Sequence, residues 1–314
     1  MTMAERLLSL IERLPRVRGS LEADAPLARF TWFKVGGPAD ALFQPEDADD
    51  LAGFLRDKPA DLPVTVIGTA SNIIIRDGGI EGVVVRIGRG FAGIEVEGDI
   101  ITAGAGANDL NVARRALEAG LGGLEFLGGI PGAIGGALRM NAGAYGREIK
   151  DVVIDAEALN ATGSRHRLGL LELDLGYRRS GVPEDWIFTS ARFRGVAGDK
   201  DEIAGRMEKI RAEREKTQPI KTPTGGSTFR NPEGANPKGA KAWELIDKAG
   251  CRGLKRGGAR VSDRHCNFLI NDGSATAADL EGLGEEIRRR VLEHSGVKLE
   301  WEIKRFGRHS EGLT

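Results

Sequence analysis

Three short segments carry side chains able to move a proton or steady a charge. "TGGSTFRNP" (224–232) sets Ser227 behind two glycines and ahead of Arg230 and Asn231. No G-x-S-x-G elbow surrounds that serine and no histidine partner is evident, so it is a poor candidate nucleophile. It is placed instead to donate a proton or a hydrogen bond. "LGYRRSG" (175–181) offers Tyr177, Arg178 and Ser180. "LEWEIKRFG" (299–307) offers Glu300 and Glu302, which on a strand, two apart, share one face. From pattern alone the ordinary reading of Arg178 is a surface charge, and of the glutamate pair a solvated β face.

A fourth segment is adhesive rather than reactive. Residues 128–146 read "GGIPGAIGGALRMNAGAYG". Glycine loses more backbone freedom on folding than any other residue, so this density needs a physical reason. Either successive N–H groups line an anion-binding nest against which an extended ligand lies, or two chain segments cross closely in the interior. Composition leaves both open. "GTASN" (68–72) adds a small-residue loop after an expected strand, and "TWFKVGGPAD" (31–40) a third turn. Such loops suit a long ligand with a pyrophosphate at its middle. The familiar nucleotide signatures are missing: the stretch gives G-x-x-G-x-x-G at 129–135, not the dinucleotide fingerprint, and no P-loop lysine follows.

The elements that must position these residues are readable in outline. Apolar spacing predicts helices over 3–14, 47–58, 108–120, 199–216, 240–249 and 276–294. β-Branched or alternating runs predict strands at 39–45, 63–68, within 72–87, as a hairpin over 94–104, and at 152–160, 185–194, 266–271 and 298–306. Residues 218–239, rich in proline, glycine and small polar side chains, read as a boundary and a functional loop together. Strands and helices mix without strict alternation, which favours α+β over a doubly wound sheet.

At 314 residues the length suits two domains. With 45 basic against 46 acidic side chains there is no general basic field for nucleic acid, and the basic run 252–260 is read as a solvated loop. Cys251 and Cys266 lack disulfide-framework and zinc spacing and are read as reduced, core-filling thiols. Four scattered histidines and no H-E-x-x-H leave no expected metal site. The N-terminus lacks a signal-peptide pattern and no apolar run is long enough for a membrane span. The expectation is a soluble, cytoplasmic protein, its oligomeric state open and a monomer favoured.

Taken together and in order, "GGIPGAIGGALRMNAGAYG", "GYRRS", "GGSTFRNP" and "WEIKRFG", with "WELIDKAG" and "GGARVSDRHCNFLIN", resemble the UDP-N-acetylenolpyruvoylglucosamine reductase family over about residues 30–307. The resemblance implies two subdomains of the vanillyl-alcohol oxidase type that clasp FAD, followed by an α+β substrate domain. The expected divisions are an N-terminal helical segment (1–29), FAD-binding subdomains at 30–88 and 89–200, a substrate-binding domain at 201–307 and a tail at 308–314. It also implies a flavoenzyme of peptidoglycan precursor synthesis. In that reaction NADPH reduces FAD, and reduced FAD passes hydride from N5 to C3 of an enolpyruvyl sugar nucleotide.

Carried over residue by residue, the resemblance assigns Gly68, Thr69, Ala70, Ser71 and Asn72 to the pyrophosphate loop. It assigns Gly128, Gly129, Ile130, Pro131, Gly132, Gly135, Gly136, Asn141, Ala142, Gly143 and Gly146 to the flavin surface. Arg178 would face the enolate that hydride addition creates, Glu302 would act protonated, and Ser227 would give the proton to C2. Tyr177, Arg230 and Asn231 would reach the substrate. A branched side chain at Gly135 is expected to cost flavin binding more than the fold. No histidine lies in 30–160 to carry a covalent link, so the FAD is expected to be non-covalent. The 68–72 loop is less glycine-rich than the family's, and Thr69 and Ala70 are expected to avoid positive φ. The only tyrosines, Tyr145 and Tyr177, lie inside other motifs, so no tyrosine lid is assigned. The alternatives are another FAD-dependent oxidase or dehydrogenase, or a non-catalytic sugar-nucleotide-binding module.

Overall fold

The computed structural model describes residues 10–232 and 239–310. Along the chain run β1 (Ser20–Pro26), β2 (Pro38–Gln44), α1 (Ala48–Asp57), β3 (Val64–Ile67), β4 (Ile73–Ile75), β5 (Ile80–Arg86), β6 (Ile94–Glu97), β7 (Ile100–Gly104), α2 (Asp109–Glu118) and α3 (Ile134–Arg139). There follow β8 (Val153–Leu159), β9 (Arg165–Gly169), β10 (Ile187–Arg194), α4 (Lys200–Thr217), β11 (Thr224–Ser227) and α5 (Ala242–Lys248). The last are β12 (Lys255–Arg256), β13 (Ala259–Val261), β14 (Phe268–Asn271), α6 (Ala277–Ser295) and β15 (Lys304–Phe306). The class is α+β. The helix expected over 3–14 is seen as helical residues 10–13, with Leu14 in a bend and 3–9 lying outside the described residues. Within the segment expected to be helical, 20–26 is a strand.

The chain divides into two units. The first comprises the described residues up to Asp24 with Asp40–Thr69 and Gly82–Arg214; the second comprises Ala25–Ala39, Ala70–Glu81 and the described residues from Glu215. This differs from the consecutive division expected at 30, 89 and 201. Two early segments belong with the C-terminal part, and the long charged helix begins in the first unit.

The first unit holds a sheet ordered β1-β2-β5-β3 and a second ordered β9-β8-β10-β7-β6. Val83, Val84 and Val85 are all fully buried, as expected of a strand covered on both faces. β3 and β5 pair parallel, whereas the five-stranded sheet is antiparallel. Helix α1 starts at Asp47, whose side chain accepts the Asp50 N–H. Buried Asp50 in turn accepts the N–H groups of Arg18, Gly19 and Glu46. The Phe43 and Phe54 rings meet at 4.7 Å in the core.

The second unit is built on the antiparallel sheet β11-β14-β13-β12 and the parallel pair of β15 with β4. Its core joins Phe33, Val35 and Ile74 from the early segments to Phe229, Val261, Leu269, Leu283 and Ile287. Helix α6 has a Thr276–Asp279 capping box and ends at Gly296 in the left-handed region (φ +72°). Asp77, in the turn after β4, accepts the N–H groups of Ala277 and Ala278 at 2.9 and 3.0 Å, closing the start of that helix. The basic run 252–260 is tied into this unit: Arg252 pairs with Asp247 and Arg260 with Asp263.

Candidate active site

Ser227 sits at a β-bulge. Thr224 faces Ile270 and Ser227 faces Phe268, so β11 carries one residue more than β14 between these pairs. Gly226 absorbs the irregularity at φ +77°, and Gly225 is bare because the Phe33 ring lies where its Cβ would be, 2.3 Å away. Beyond Ser227 the chain pairs on its other side with 300–302. The Glu302 N–H donates to the Thr228 carbonyl at 2.8 Å and the Arg230 N–H to the Glu300 carbonyl at 2.9 Å. Ser227 and Glu302 therefore belong to one bonded backbone pair, both half-buried. The strand expected over 298–306 is shorter. Regular pairing begins at Lys304, and 300–302 is held by the single bridge Phe229–Trp301. Glu300 is exposed, and its carbonyl, not its carboxylate, makes the link to Arg230. Trp301 is fixed by its indole N–H to Glu285 at 2.8 Å and by Arg305 over its ring.

The 68–72 loop corrects one expectation. Ala70 adopts φ +51°, a left-handed conformation that costs an L residue about 1–2 kcal/mol. It is held there by burial and by the Trp32 N–H, which donates to its carbonyl at 3.2 Å. Asn72 bonds to the C-terminal segment: its side-chain amide reaches the Glu302 carbonyl, and its own carbonyl takes the Lys304 N–H. Ser71 and Asn72 belong to the second unit, and Gly68 and Thr69 to the first.

In the glycine-rich stretch both sequence-level reasons for bareness operate, at different residues. Residues 134–139 form a short helix that the glycines hid from sequence reading. A Cβ on Gly129 would meet the Tyr145 ring at 2.6 Å, one on Gly135 would meet Ala105 at 3.1 Å, and one on Gly143 the Arg147 carbonyl at 2.7 Å. There the chain packs on itself, which is by itself a sufficient reason for the small residue at Gly135. A Cβ on Gly136 or Gly68 would meet nothing within 4 Å, and Gly136 is exposed. At these two positions, as at Gly146, the backbone lies bare toward open space, as a surface for an extended cofactor requires.

The stretch is anchored along 105–109. The N–H groups of Gly135 and Ile134 donate to the carbonyls of Ala105 and Ala107, and that of Asp109 to the Gly132 carbonyl. Gly128 packs against Leu110, and the Ile130 N–H, preceding Pro131, closes a turn on Leu127. Asn141, fully buried at φ +40°, spends its amide on Glu148 and the Gly176 carbonyl and its oxygen on the Lys150 N–H. It is a brace within the protein. The next residue, Ala142, donates to Ala137, and Gly146 turns at φ +81°.

That brace leads to Arg178. Gly176 and Arg179 exchange backbone hydrogen bonds, leaving Tyr177 and Arg178 at the tip of a tight turn. Arg178 has φ +54°, and its guanidinium lies 5.1 Å from the centre of the Tyr177 ring and 3.5 Å from the Gly143 carbonyl. Uncommon backbone conformations held by several contacts are frequent at functional sites. Asn231 is exposed, and its side-chain oxygen accepts the Ala242 N–H at the start of α5.

Sequence reading missed two buried polar residues. Asn267 clamps the segment after Ser227 through Phe229, a role that depends on register across the sheet. Asp109 opens α2, fully buried, with neither carboxylate oxygen hydrogen-bonded. Burial alone pushes its pKa well above the usual carboxylate range. Burial also lowers the His265 imidazole and raises Cys266 to about 11. Among the described residues no three metal-ligating side chains gather, and no helix is long and apolar enough to cross a membrane.

Comparison with known proteins places these features in a family. Residues 218–306 match the family model "UDP-N-acetylenolpyruvoylglucosamine reductase, C-terminal domain", and residues 39–169 the model "FAD binding domain". The chain is 58% identical over 311 residues to the UDP-N-acetylenolpyruvoylglucosamine reductase of Parvibaculum lavamentivorans, covering 99% of each. It is 60% identical over 296 residues to that of Paramagnetospirillum magneticum, covering 94% of this chain and 95% of the relative. The crystal structure of the Thermus caldophilus enzyme superposes with a TM-score of 0.79 at 34% identity, covering 93% of this chain and 100% of that one.

Proposed function

Since the chain belongs to the UDP-N-acetylenolpyruvoylglucosamine reductase family and is an FAD-dependent oxidoreductase, we propose that Ser227, Glu302 and Arg178 carry the reduction of the enolpyruvyl sugar nucleotide to UDP-N-acetylmuramate. NADPH is the proposed reductant, the cytoplasm the proposed site of action, and cell-wall precursor synthesis the proposed role. The observation that carries the assignment is the 2.8 Å hydrogen bond from the Glu302 N–H to the Thr228 carbonyl, which holds the serine and the glutamate on one backbone pair.

Bound FAD supplies the hydride that adds at C3 of the enolpyruvyl group. The protein must then stabilise negative charge shared between C2 and the carboxylate, and deliver a proton to C2. The Arg178 guanidinium offers a fixed positive charge for the enolate. Its pose is set by the left-handed turn and by Asn141, which ties that turn to the glycine-rich stretch. Ser227 Oγ gives its proton to C2; a serine is a weak acid, but an enolate carbon is basic enough to take it when the geometry is fixed. Glu302 acts in its protonated form, since a carboxylate would repel the developing charge. Tyr177 and Arg230 contact the sugar nucleotide. The backbone at Gly68 and Gly136, open where a Cβ would be, holds the cofactor without a covalent bond.

The test is consumption of NADPH by the purified yellow protein with and without the enolpyruvyl sugar nucleotide. Oxidation that depends on that substrate and yields the lactyl ether supports the reading. Oxidation indifferent to it, with oxygen as the acceptor, refutes it. Acid precipitation should leave the flavin in the supernatant.

A further inference from the structure

The segment that follows Ser227 is held on one side by a side chain acting as a peptide. β14 begins at Phe268, and before it the backbone turns away, the Phe268 N–H closing on the His265 carbonyl at 3.0 Å. The last backbone group available to the neighbouring strand is the Asn267 carbonyl, which accepts the Thr228 N–H at 2.8 Å. Phe229 then has no main chain beside it on that edge. Its N–H donates to Asn267 Oδ1 at 2.9 Å, and its carbonyl accepts from Asn267 Nδ2 at 2.8 Å. The carboxamide thus completes one further rung of the ladder. Asn267, Thr228 and Phe229 are all buried.

The two edges of this short segment alternate. Thr228 and Arg230 bond across to Glu302 and Glu300, while Thr228 and Phe229 bond back to Asn267. Ser227 lies immediately before the segment, at the bulge where β11 is least regular, so the ladder ahead of it gives weak control of its direction. Control comes from the residues after it. Asparagine suits this task because it offers one acceptor and one donor in the plane of a peptide. Aspartate when ionised has only acceptors, and glutamine is longer by one methylene.

We propose that Asn267 is a positioning residue of the reaction, its carboxamide fixing Thr228 and Phe229 and thereby the direction of the Ser227 hydroxyl beside Glu302. This rests on the reading of Ser227 as proton donor. Misplacement of a reacting group by about 1 Å can cost on the order of 10²-fold in rate. The cost should fall on the step in which Ser227 acts and on no other.

The test is Asn267→Ser in the FAD-loaded full chain, with the two half-reactions followed separately at the flavin band. Reduction by NADPH should be unchanged. Reoxidation by the enolpyruvyl substrate should slow by about 10- to 100-fold, with a larger solvent deuterium isotope effect because proton delivery has become limiting. In a Ser227→Ala background the same change should add little, since the group it positions is gone. If Ser227→Ala slows reoxidation alone but Asn267→Ser slows both half-reactions equally, or neither, Asn267 is only structural and the proposal fails while the serine reading stands. If Ser227→Ala itself spares reoxidation, the serine reading falls and the proposal with it. Asn267→Asp, which keeps the volume and one hydrogen bond, serves if the first variant does not fold. Failure of both to fold overturns the positioning role in favour of a purely structural one.

Discussion

The side-chain amide of Asn72 donates to the backbone carbonyl of Glu302 at 3.3 Å, and the Asn72 carbonyl accepts the Lys304 N–H at 3.1 Å. A residue of the loop expected to hold the pyrophosphate is thus bonded on both sides of Ile303 to the segment that carries Glu302, the proposed acid. Glu302 is in turn bonded to Thr228, the residue after Ser227.

Gly135 and Gly136 should respond differently to valine. At Gly135 the new side chain meets Ala105 at 3.1 Å, so the variant should lose about 1–3 kcal/mol of stability by overpacking. At Gly136 there is open space, so the apoprotein should melt close to the parent while FAD affinity falls. Thermal melts and flavin titrations of both variants check this. Parent-like FAD affinity in Gly136→Val would mean the cofactor does not lie there.

Ser227→Ala should separate the half-reactions. Reduction of the flavin by NADPH precedes proton delivery and should be nearly intact. Reoxidation by substrate should slow by roughly 10²–10⁴-fold, the usual worth of positioned acid catalysis. Ser227→Cys should restore part of the rate, because a thiol can also give a proton. Stopped-flow traces decide, and parallel slowing of both steps would point to a role in the turn instead.

Asp109 should make the protein less stable as pH rises. Burial raises its folded pKa above the unfolded value, so between those values the folded state holds more protons than the unfolded one. Stability from this group is therefore greatest below about pH 3.9, the ordinary aspartate value, and declines above it up to the folded pKa. Asp109→Asn removes that dependence and should raise the melting temperature at neutral pH, with the gain vanishing in acid. A pH series of melts on both proteins measures it. A lower melting temperature for the variant at neutral pH would show the carboxylate to be stabilised in the fold.

Asp77→Ala should remove the acceptor for two N–H groups at the start of α6. Loss of a helix N-terminal acceptor costs about 0.5–2 kcal/mol. Asp77→Asn, which keeps one oxygen, should recover part of that. Denaturant melts of the two variants provide the comparison.

Much of the fold was legible because its signals are local. The hairpin 94–104 and the helices over 108–120 and 276–294 announce themselves by spacing over a few residues. β1 was missed because "SLEADAP" has no β-branched or aromatic residue and no clean alternation, with Ala25 as its one fully covered residue. α3 was missed because glycine disfavours helix, and close packing on Ala105 overrides that preference. The roles of Ser227, Arg178 and Glu302 came from motif resemblance. What no local pattern could give was the left-handed Ala70, which depends on Trp32, and the clamp at Asn267, which depends on where β14 stops.

The second unit draws its core from three separated stretches of chain. β4 pairs with β15, and Asn271 donates to the Phe33 carbonyl, joining residues from opposite ends of the sequence. During synthesis, 25–39 and 70–81 leave the ribosome long before their partners exist, with Phe33, Val35 and Ile74 uncovered. Closing such long loops must precede any reward from the contacts they permit, which makes this the slow part of folding. A fragment cut at the start of the C-terminal region would lack both early segments. It would lay bare the apolar faces they cover, so the unit cannot be produced by simple truncation.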